Sequence, residues 1–410
     1  MITTGLPSIL ELYRVGHGPS SSHTMGPVRA TQLFVTAHPG NGPIRVTLYG
    51  SLAATGRGHL TDTAVRNILG HRLSEIIWLP DTFLPRHPNA LQFDLLSPSA
   101  EITTSQTYYS VGGGALATND TMEEQSGTLY TITSMEETIC HCESAGYPLW
   151  RYIEEIEGSE LWFELEKRWQ VISAAMTRGL NAEGVLPGGL HLERRARSYY
   201  RRARHTTNPL LARGAKLSAY ALAVSEENAA GSEIVTAPTC GACSTLPAVL
   251  RYCQETFDHS QTDINRALAI AGLVGNLVKV NGSISGAEVG CQGEIGTACA
   301  MAAAAAVWMM GGSLRQIEYA AEMGIEHHLG LTCDPVMGLV QIPCIERNAF
   351  AAMRAIDCAE YALLSDGRHM VSFDDIIRVM LETGRAMPHA YRETSLGGLA
   401  ALRSVVKTPH

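Results

Sequence analysis

Apolar and polar positions in the early part of the chain follow short, mixed patterns. Ile44–Tyr49 reads Ile-Arg-Val-Thr-Leu-Tyr, an alternation that predicts a half-buried β-strand. Apolar residues recur at helical spacing over Ala64–Leu73, and the Thr- and Tyr-rich stretch Glu101–Ser110 has the composition of a strand. The glycines of Val111–Gly114 end that stretch in a sharp loop. We therefore predict a small α+β domain over residues 1–150.

From residue 171 onward the pattern changes to long, alanine-rich segments that carry strong helix formers and little strand signal. Examples are Leu217–Asn228, Ile264–Val280, Thr297–Met310 and Leu314–Glu326. Short segments rich in Gly, Pro and Cys separate them, which predicts an all-helical domain over 171–410 whose loops meet at one site. The charged, helix-favouring residues 151–170 are interpreted as a linker between the two domains.

Composition narrows the class of protein. With 410 residues, 45% of them hydrophobic and 17% charged, the chain can bury a large core. A net charge of −9 without a long basic run argues against a nucleic-acid or anionic-membrane partner. The N-terminus lacks a secretory signal pattern, and the longest apolar run, Ala298–Met310, is too short to span a bilayer. We expect a cytoplasmic protein, in which ten cysteines more often bind metal or do chemistry than form disulfides.

Three cysteines lie in polar loops flanked by glycine, away from apolar helix faces: Cys291, Cys333 and Cys344. Glycine lets backbone approach a bulky inorganic cluster, and loop N–H groups can hydrogen-bond its sulfides. Three thiolates on a four-iron cluster would leave one iron without a protein ligand, open to act as a Lewis acid. Spacing alone fits three unrelated buried cysteines equally well.

Two polar loops of the first domain are candidates for chemistry. The run Ser20, Ser21, Ser22, His23 and Thr24 could bind a carboxylate or relay a proton, and it is longer than the alternative, a helix N-cap, requires. In the segment Gly56–Asp62, His59 and Asp62 form either an oriented base or a capped turn before the next helix.

Taken together, these segments resemble one family, the bacterial iron–sulfur L-serine dehydratases in their single-chain form. The matching segments run in order along nearly the whole chain, which is far more specific than one short motif. In the first domain they are Gly18–Thr24, Tyr49–Ala53, Gly58–Asp62 and Tyr109–Gly114. In the second they are Leu186–Leu190, Ala223–Ala230, Thr236–Thr239, Ser283–Glu294, Leu329–Pro335 and Gly338–Asn348.

The resemblance implies a fold, a cofactor and an assembly. The implied fold is a small α+β domain, similar to the allosteric substrate-binding domain of some phosphoglycerate dehydrogenases, joined to a larger all-helical catalytic domain. Cys291, Cys333 and Cys344 match the family's cluster ligands, so a 4Fe–4S cluster with one open iron is expected. Members are usually homodimers that act on a small amino acid.

The implied reaction is dehydration of L-serine to pyruvate and ammonia. Because the α-proton of serine is weakly acidic and its hydroxide leaves poorly, the reaction needs both a positioned base and a Lewis acid. The candidate bases are His23, His59 and a nearby serine such as Ser285. The candidate substrate-binding residues are Ser20, Ser21, Ser22, Thr24, Asp62 and Cys240.

The sequence departs from the family pattern in three places. Cys240, in Thr-Cys-Gly-Ala-Cys-Ser, replaces an Asn that could contact substrate. The chain ends in His410, whereas members usually end in a cysteine whose thiolate occupies the open iron. Either this plug is absent here, or the imidazole or carboxylate of His410 replaces it. His328, beside His327, stands where the family usually has Asn, and either contacts substrate or packs at a helix end.

The same residues are compatible with other functions. Cys240 suggests L-cysteine or another β-hydroxy amino acid as the substrate. Pyridoxal-phosphate chemistry needs a Schiff-base lysine, but the four lysines of the chain lie in unsuitable contexts. A zinc hydrolase built on the three cysteines would be colourless. A non-catalytic serine sensor would have no need of the three cysteines, which are all present.

Overall fold

The computed structural model describes residues 5–119 and 127–402. The part before residue 120 contains both strands and helices. In chain order these are β1 (Val15–His17), α1 (Gly26–Ala37), β2 (Ile44–Tyr49), α2 (Gly50–Thr55), α3 (Thr61–Leu69), β3 (Leu73–Leu79), β4 (Asn89–Leu96), β5 (Ile102–Gly112) and β6 (Ala115–Thr118).

A five-stranded sheet with the order β3-β2-β4-β5-β6 forms the centre of this part. β2 pairs in parallel with β3, because α2 and α3 carry the chain back across the sheet, and antiparallel with β4. Ile44, Val46 and Leu48 of β2 are buried in a core where Phe34 of α1 stacks on Phe93 of β4, with ring centroids 5.1 Å apart. The predicted strand Ile44–Tyr49 is therefore confirmed.

The helix predicted over Ala64–Leu73 lies earlier in the structure, as α3. Gly70 follows Leu69 with a φ of +54°, a left-handed conformation that glycine adopts without steric cost and that commonly ends helices. Leu73 already belongs to β3. The prediction merged the apolar residues of a helix with those of the next strand, because the turn between them carries no apolar periodicity.

The part after residue 127 is predominantly helical. Its elements are α4 (Met135–Ala145), α5 (Leu149–Glu157), α6 (Glu160–Asn181), α7 (Ala196–His205), α8 (Pro209–Ala229), β7 (Glu233–Val235), α9 (Thr245–Phe257), α10 (Gln261–Asn281), α11 (Gly286–Val289), α12 (Thr297–Met309), α13 (Leu314–Glu326), α14 (Cys344–Leu363) and α15 (Phe373–Ala386). The predicted fold, a small α+β domain followed by a larger helical one, is confirmed.

The first residues of the chain pack into the helical part. Ile9 and Leu12 lie against Gly272 and Gly275 of α10, where only glycine leaves room for them. The phenol of Tyr13 donates a hydrogen bond to the carbonyl of Leu268 at 2.8 Å, inside the same core. The helical part therefore takes a piece of its core from the opposite end of the chain.

The short strand β7 was not predicted in the all-helical domain. It pairs antiparallel with β1, with Val15 opposite Val235. A three-residue strand has almost no signal of its own, and this one forms because a segment distant in sequence supplies its hydrogen-bonding partner.

Residues 151–170, predicted to be a linker, fall on α5 and α6. Ile153, Leu161, Leu165 and Trp169 from this stretch are buried in the helical core. The segment is thus packed rather than extended between domains, while the domain boundaries at 150 and 170 stay predictions. Across the described ranges, no helix combines the length and apolar character that crossing a bilayer requires.

Gly179 provides a test of the helix packing. A Cβ at this position of α6 would overlap the backbone of Ala223 in α8, so Gly179→Ala should lower the free energy of unfolding by about 1–3 kcal/mol. A methyl group added to Gly214, within α8, would have Met353 Sδ as its nearest contact, at 3.7 Å, so Gly214→Ala should be neutral or stabilising by up to about 1 kcal/mol. Urea unfolding of both variants measures this, and equal effects would contradict the close approach of α6 and α8.

Candidate functional site

The serine-rich loop, residues 18–25, lies where the sheet meets the helices. The hydroxyl of Ser20 accepts a hydrogen bond from the N–H of His23 at 3.0 Å. Ser21–Met25 then form a single π-helical turn, a rare geometry that is frequent at functional sites. The predicted site residues of this loop are all buried: Ser20, Ser21, Ser22, His23 and Thr24. The polar side chains of the loop therefore face the protein interior.

Groups from the helical part hold this loop in place. Asn228, near the end of α8, donates from Nδ2 to the carbonyl of Pro19 at 2.9 Å. The N–H of Cys240 donates to the hydroxyl of Ser21 at 3.4 Å, and Cys240 Sγ lies 3.4 Å from Met25 Sδ. Burial raises the pKa of the Cys240 thiol well above its usual range. Cys240 thus packs on the loop as a neutral thiol.

The two predicted histidines lie together. The ring centroids of His23 and His59 are 4.4 Å apart, and the hydroxyl of Thr24 donates to the carbonyl of His59 at 2.7 Å. His59 Nδ1 lies 3.1 Å from the carbonyl of Thr55, which orients the ring. Asp62, predicted as a partner of His59, lies partly exposed in the first turn of α3. The backbone of α2, and not this carboxylate, orients His59.

Burial keeps both imidazoles neutral. It lowers the pKa of His59 to about 4. It lowers the pKa of His23 well below its usual range, and the neighbouring His59 ring lowers it further. A carbonyl only accepts hydrogen bonds, so Nδ1 of His59 carries the proton and Nε2 holds the free lone pair. In His23 the assignment is reversed, because Nε2 faces the carbonyl of Ser51 at 3.2 Å.

The three predicted ligand cysteines are neighbours in the helical part, with Cys291 and Cys333 buried and Cys344 half-buried. Cys291 follows α11, Cys333 follows α13 and Cys344 begins α14. Burial raises the pKa of the Cys291 thiol to about 11. It raises the pKa of Cys333 well above its usual range, and charges on Glu393, Glu294 and the other two cysteines add to the rise. Thiols that influence one another in this way share one site.

The surroundings of the three thiols include a group that can stabilise ionised sulfur. In residues 5–119 and 127–402 no three His, Cys, Asp or Glu residues are grouped to hold one metal ion. In an iron–sulfur cluster each thiolate binds a different iron, so the sulfurs need not meet at one point. Burial also raises the pKa of the Cys344 thiol, and the Arg347 guanidinium partly offsets the rise for both Cys291 and Cys344. Arg347 therefore offsets the charge of thiolates at this site, and the donor set fits an iron–sulfur group.

Glu393, which was not predicted, links the two halves of the site. Its carboxylate lies 3.4 Å from Nδ1 of His23, and its N–H donates to the carbonyl of Cys333 at 2.7 Å. The hydroxyl of Ser51 donates to the carbonyl of Glu393 at 2.6 Å. Burial raises the pKa of this carboxyl well above its usual range, as does the charge of Glu294. A protonated Glu393 can donate to His23 Nδ1.

Several buried polar atoms at this interface have no hydrogen-bond partner within the described residues. They include Nδ1 of His23, the Oγ atoms of Ser285 and Ser110, Nε2 of His87, and both polar side-chain atoms of Asn89. Ser285, a predicted catalytic residue, lies beside Gly112 of the β5–β6 turn. Buried polar groups are rarely left unpaired, so this cluster is suited to a small polar ligand. His87 and Asn89 carry no sequence signal beyond ordinary loop and strand positions, whereas Ser110 lies in the matching segment Tyr109–Gly114.

Two of the departures from the family pattern concern His328 and His410. His328 Nδ1 lies 2.8 Å from the carbonyl of Gly324 in the last turn of α13, which supports the helix-end interpretation of His328. His327 is exposed. His410, the predicted replacement for a terminal thiol, lies outside the described residues.

Comparison with known proteins gives a consistent result. The family model for the serine dehydratase beta chain matches residues 8–72 and 67–121, and that for the serine dehydratase alpha chain matches residues 102–400. The chain is 39% identical to L-serine dehydratase of Streptomyces coelicolor and to L-serine dehydratase 1 of Escherichia coli, each over 96% of this chain and 98% of the relative. It is 40% identical to L-serine dehydratase of Haemophilus influenzae over the same shares.

The buried imidazole of His59 predicts acid sensitivity. Its pKa is about 4 in the folded protein and near 6.5 in the unfolded chain, so between these values the unfolded chain binds more protons. The free energy of unfolding should therefore fall by about 2–3 kcal/mol from this residue as the pH drops from about 7 to about 4.5. Urea unfolding at both pH values should show most of this loss removed in His59→Asn and retained in the exposed His71→Asn. Equal slopes would contradict a neutral His59.

Proposed function

This chain belongs to the serine dehydratase family, and we propose that it eliminates water from L-serine and releases pyruvate and ammonia. The observation that carries the proposal is the meeting of two neutral imidazoles from the sheet part with three buried thiols from the helical part. Dehydration of serine requires both a base for the α-proton and an acid for the departing hydroxide. The two sets of residues are suited to these two tasks.

We propose that Cys291, Cys333 and Cys344 hold a 4Fe–4S cluster. When bound, such a cluster supplies a Lewis-acidic iron with a free position for a substrate oxygen. Burial disfavours thiolates, so the chain must offset their charge. Arg347 does so from beside Cys291 and Cys344, and it is held in turn by Asp334 at 3.5 Å and by the carbonyl of Thr332 at 2.6 Å.

Among the three candidate bases, the geometry favours His59. Its Nε2 lone pair has no hydrogen bond recorded from the described residues, and the ring is uncharged at neutral pH. The Nδ1 lone pair of His23 also has no hydrogen-bond partner among the described residues, but it faces the carboxyl group of Glu393 at 3.4 Å, so we assign His23 and Glu393 to orienting the neighbouring ring. Ser285 has no basic partner recorded within reach of its hydroxyl, and a serine needs one to remove a proton.

Most hydroxyl groups of the serine-rich loop already form hydrogen bonds to other groups of the protein. Ser20 binds the N–H of His23, Ser21 binds the N–H of Cys240, and Thr24 binds the carbonyl of His59. Their predicted substrate contacts, like those of Ser22 and Asp62, stay predictions. We propose that the unpaired groups of His87, Asn89, Ser110 and Ser285 receive the ammonium and carboxylate of the amino acid.

A second substrate is favoured by one observation. Cys240, which stands where the family has an amide, lies on the serine-rich loop and makes the site wall there more apolar. A softer, less polar side chain such as that of L-cysteine would suit this wall.

Anaerobic purification tests the cluster and the substrate together. The full chain should contain iron and acid-labile sulfide, absorb in the visible range and form a keto acid from L-serine faster than from L-threonine or L-cysteine. Replacing Cys291, Cys333 or Cys344 by Ser should remove most of the iron and the turnover, whereas the exposed Cys140→Ser should change neither. Protein free of iron and sulfide would reject the cluster, and faster turnover of cysteine would favour the second substrate.

Replacing the candidate bases separates their roles. We expect His59→Gln to lower kcat by about 10²- to 10⁴-fold while iron content stays unchanged, because proton removal from Cα depends on its lone pair. His23→Gln and Ser285→Ala should lower kcat less, and His71→Gln should not affect it. If all three site variants kept full turnover on an intact cluster, the assignment of the base would be wrong.

A further inference from the structure

A cavity lies among α7, α8 and α14 of the helical part. Its volume is about 480 Å³, within the range of about 300–1,000 Å³ that small-molecule sites have. Its walls are mostly apolar and include Tyr199, Leu222, Ile345, Phe350 and Met353. The sequence analysis predicted no site here, although Ile345 lies in the matching segment Gly338–Asn348.

Two buried oxygen atoms among the lining residues have no partner. Glu226 is 2% exposed, and its Oε1 accepts hydrogen bonds from the N–H groups of Arg195 and Ala196 at 2.6 and 3.1 Å. Its Oε2 has no partner recorded among the described residues. Gln341, also 2% exposed, donates from Nε2 to the carbonyl of Pro187 at 2.6 Å, and its Oε1 is likewise unpaired. With Glu226 ionised, as at pH 8, both unpaired oxygens are hydrogen-bond acceptors and require a donor.

The charges around the cavity call for a positive donor. Glu193, Glu226 and Glu346 line it, against one cation, Arg195. Arg195 is drawn to the rim by Glu346 at 3.4 Å, and both of these side chains are more than half exposed. Burial raises the pKa of Glu226 to about 7, and the neighbouring Arg194 partly offsets this rise, so the carboxylate form is populated at pH 8. Arg194 itself binds Glu227 at 2.8 Å and leaves Oε2 of Glu226 unpaired.

We propose that this cavity is a binding site for a small organic ammonium ion, which would donate N–H groups to Glu226 and Gln341 and bury an apolar body against the aliphatic and aromatic walls. A metal ion would need oxygen ligands on all sides, and the apolar walls do not supply them. A neutral apolar molecule would leave both buried oxygens unpaired. This inference goes beyond the proposed function, because the cavity is formed by other residues than the thiols and histidines of the site described above.

The test is calorimetric titration of the anaerobically purified full chain at about pH 8, without amino-acid substrate, using benzylammonium and its neutral analogue benzyl alcohol. Benzylammonium should bind saturably and at least about tenfold more tightly than benzyl alcohol, because only the cation satisfies the buried carboxylate. Equal affinities, or no saturable binding of the cation, would overturn the proposal. Neither result depends on turnover, so failure here is distinct from failure of the serine dehydratase assignment.

Glu226→Gln removes the charge and keeps an oxygen for the N–H groups of Arg195 and Ala196. It should weaken benzylammonium binding by at least about tenfold and abolish the preference over the alcohol. The matched control is Glu382→Gln, an equal charge change at an exposed position of α15, which should bind as the unmodified chain does. Unchanged binding in folded Glu226→Gln would reject the site.

If Glu226→Gln does not fold, Phe350→Ala takes its place. Phe350 lines the cavity but is 68% exposed, so its truncation leaves the core intact. Loss of this wall should weaken benzylammonium several-fold, and undiminished binding would place the ligand elsewhere.

Discussion

The docking of the serine-rich loop onto the end of α8 is the contact on which the active site depends. The hydrogen bond from Asn228 to Pro19 and that from Cys240 to Ser21 fix this loop from the helical side. Thr24 then fixes His59 through its backbone, and His59 lies on His23. A polar loop without these bonds would be solvated, and its imidazoles would titrate near neutral pH. The neutral state of the proposed base therefore follows from the contact between the two parts of the protein.

Charge and burial are balanced differently on the two sides of the site. On the sheet side, burial keeps the histidines uncharged, and for His23 the neighbouring imidazole of His59 lowers the pKa further. On the helical side, burial opposes ionisation of the three thiols and Arg347 favours it for two of them. Glu393 lies between these environments and contacts both, through its carboxylate to His23 and its backbone to Cys333. The same lack of water thus favours an uncharged base on one side and would strengthen the bonds between the thiolates and the proposed cluster on the other.

Local sequence patterns revealed the elements that have their own periodicity. The strand Ile44–Tyr49 and the long alanine-rich helices α8, α10, α12 and α13 lie where the apolar spacing predicted them. The cysteines and histidines of the site were found because clustered hydroxyls and glycine-flanked thiols are unusual in loops. β7 was missed, because its strand character comes from β1 and not from its own residues. His87, Asn89 and Glu393 were missed for a related reason, since only the approach of two distant segments buries them and gives them a role.

The packing of the N-terminal segment into α10 has a consequence for biosynthesis. Tyr13 leaves the ribosome early, yet the carbonyl that its phenol binds lies 255 positions later in the chain. Ile9 and Leu12 must likewise wait for the glycines of α10 before they can be buried. Until α10 has been synthesised, this apolar segment has no packing partner. The nascent chain therefore exposes apolar side chains that chaperones can bind. Closure of the helical core is a late event, because residues 9–13 meet their native neighbours only after α10 has been synthesised.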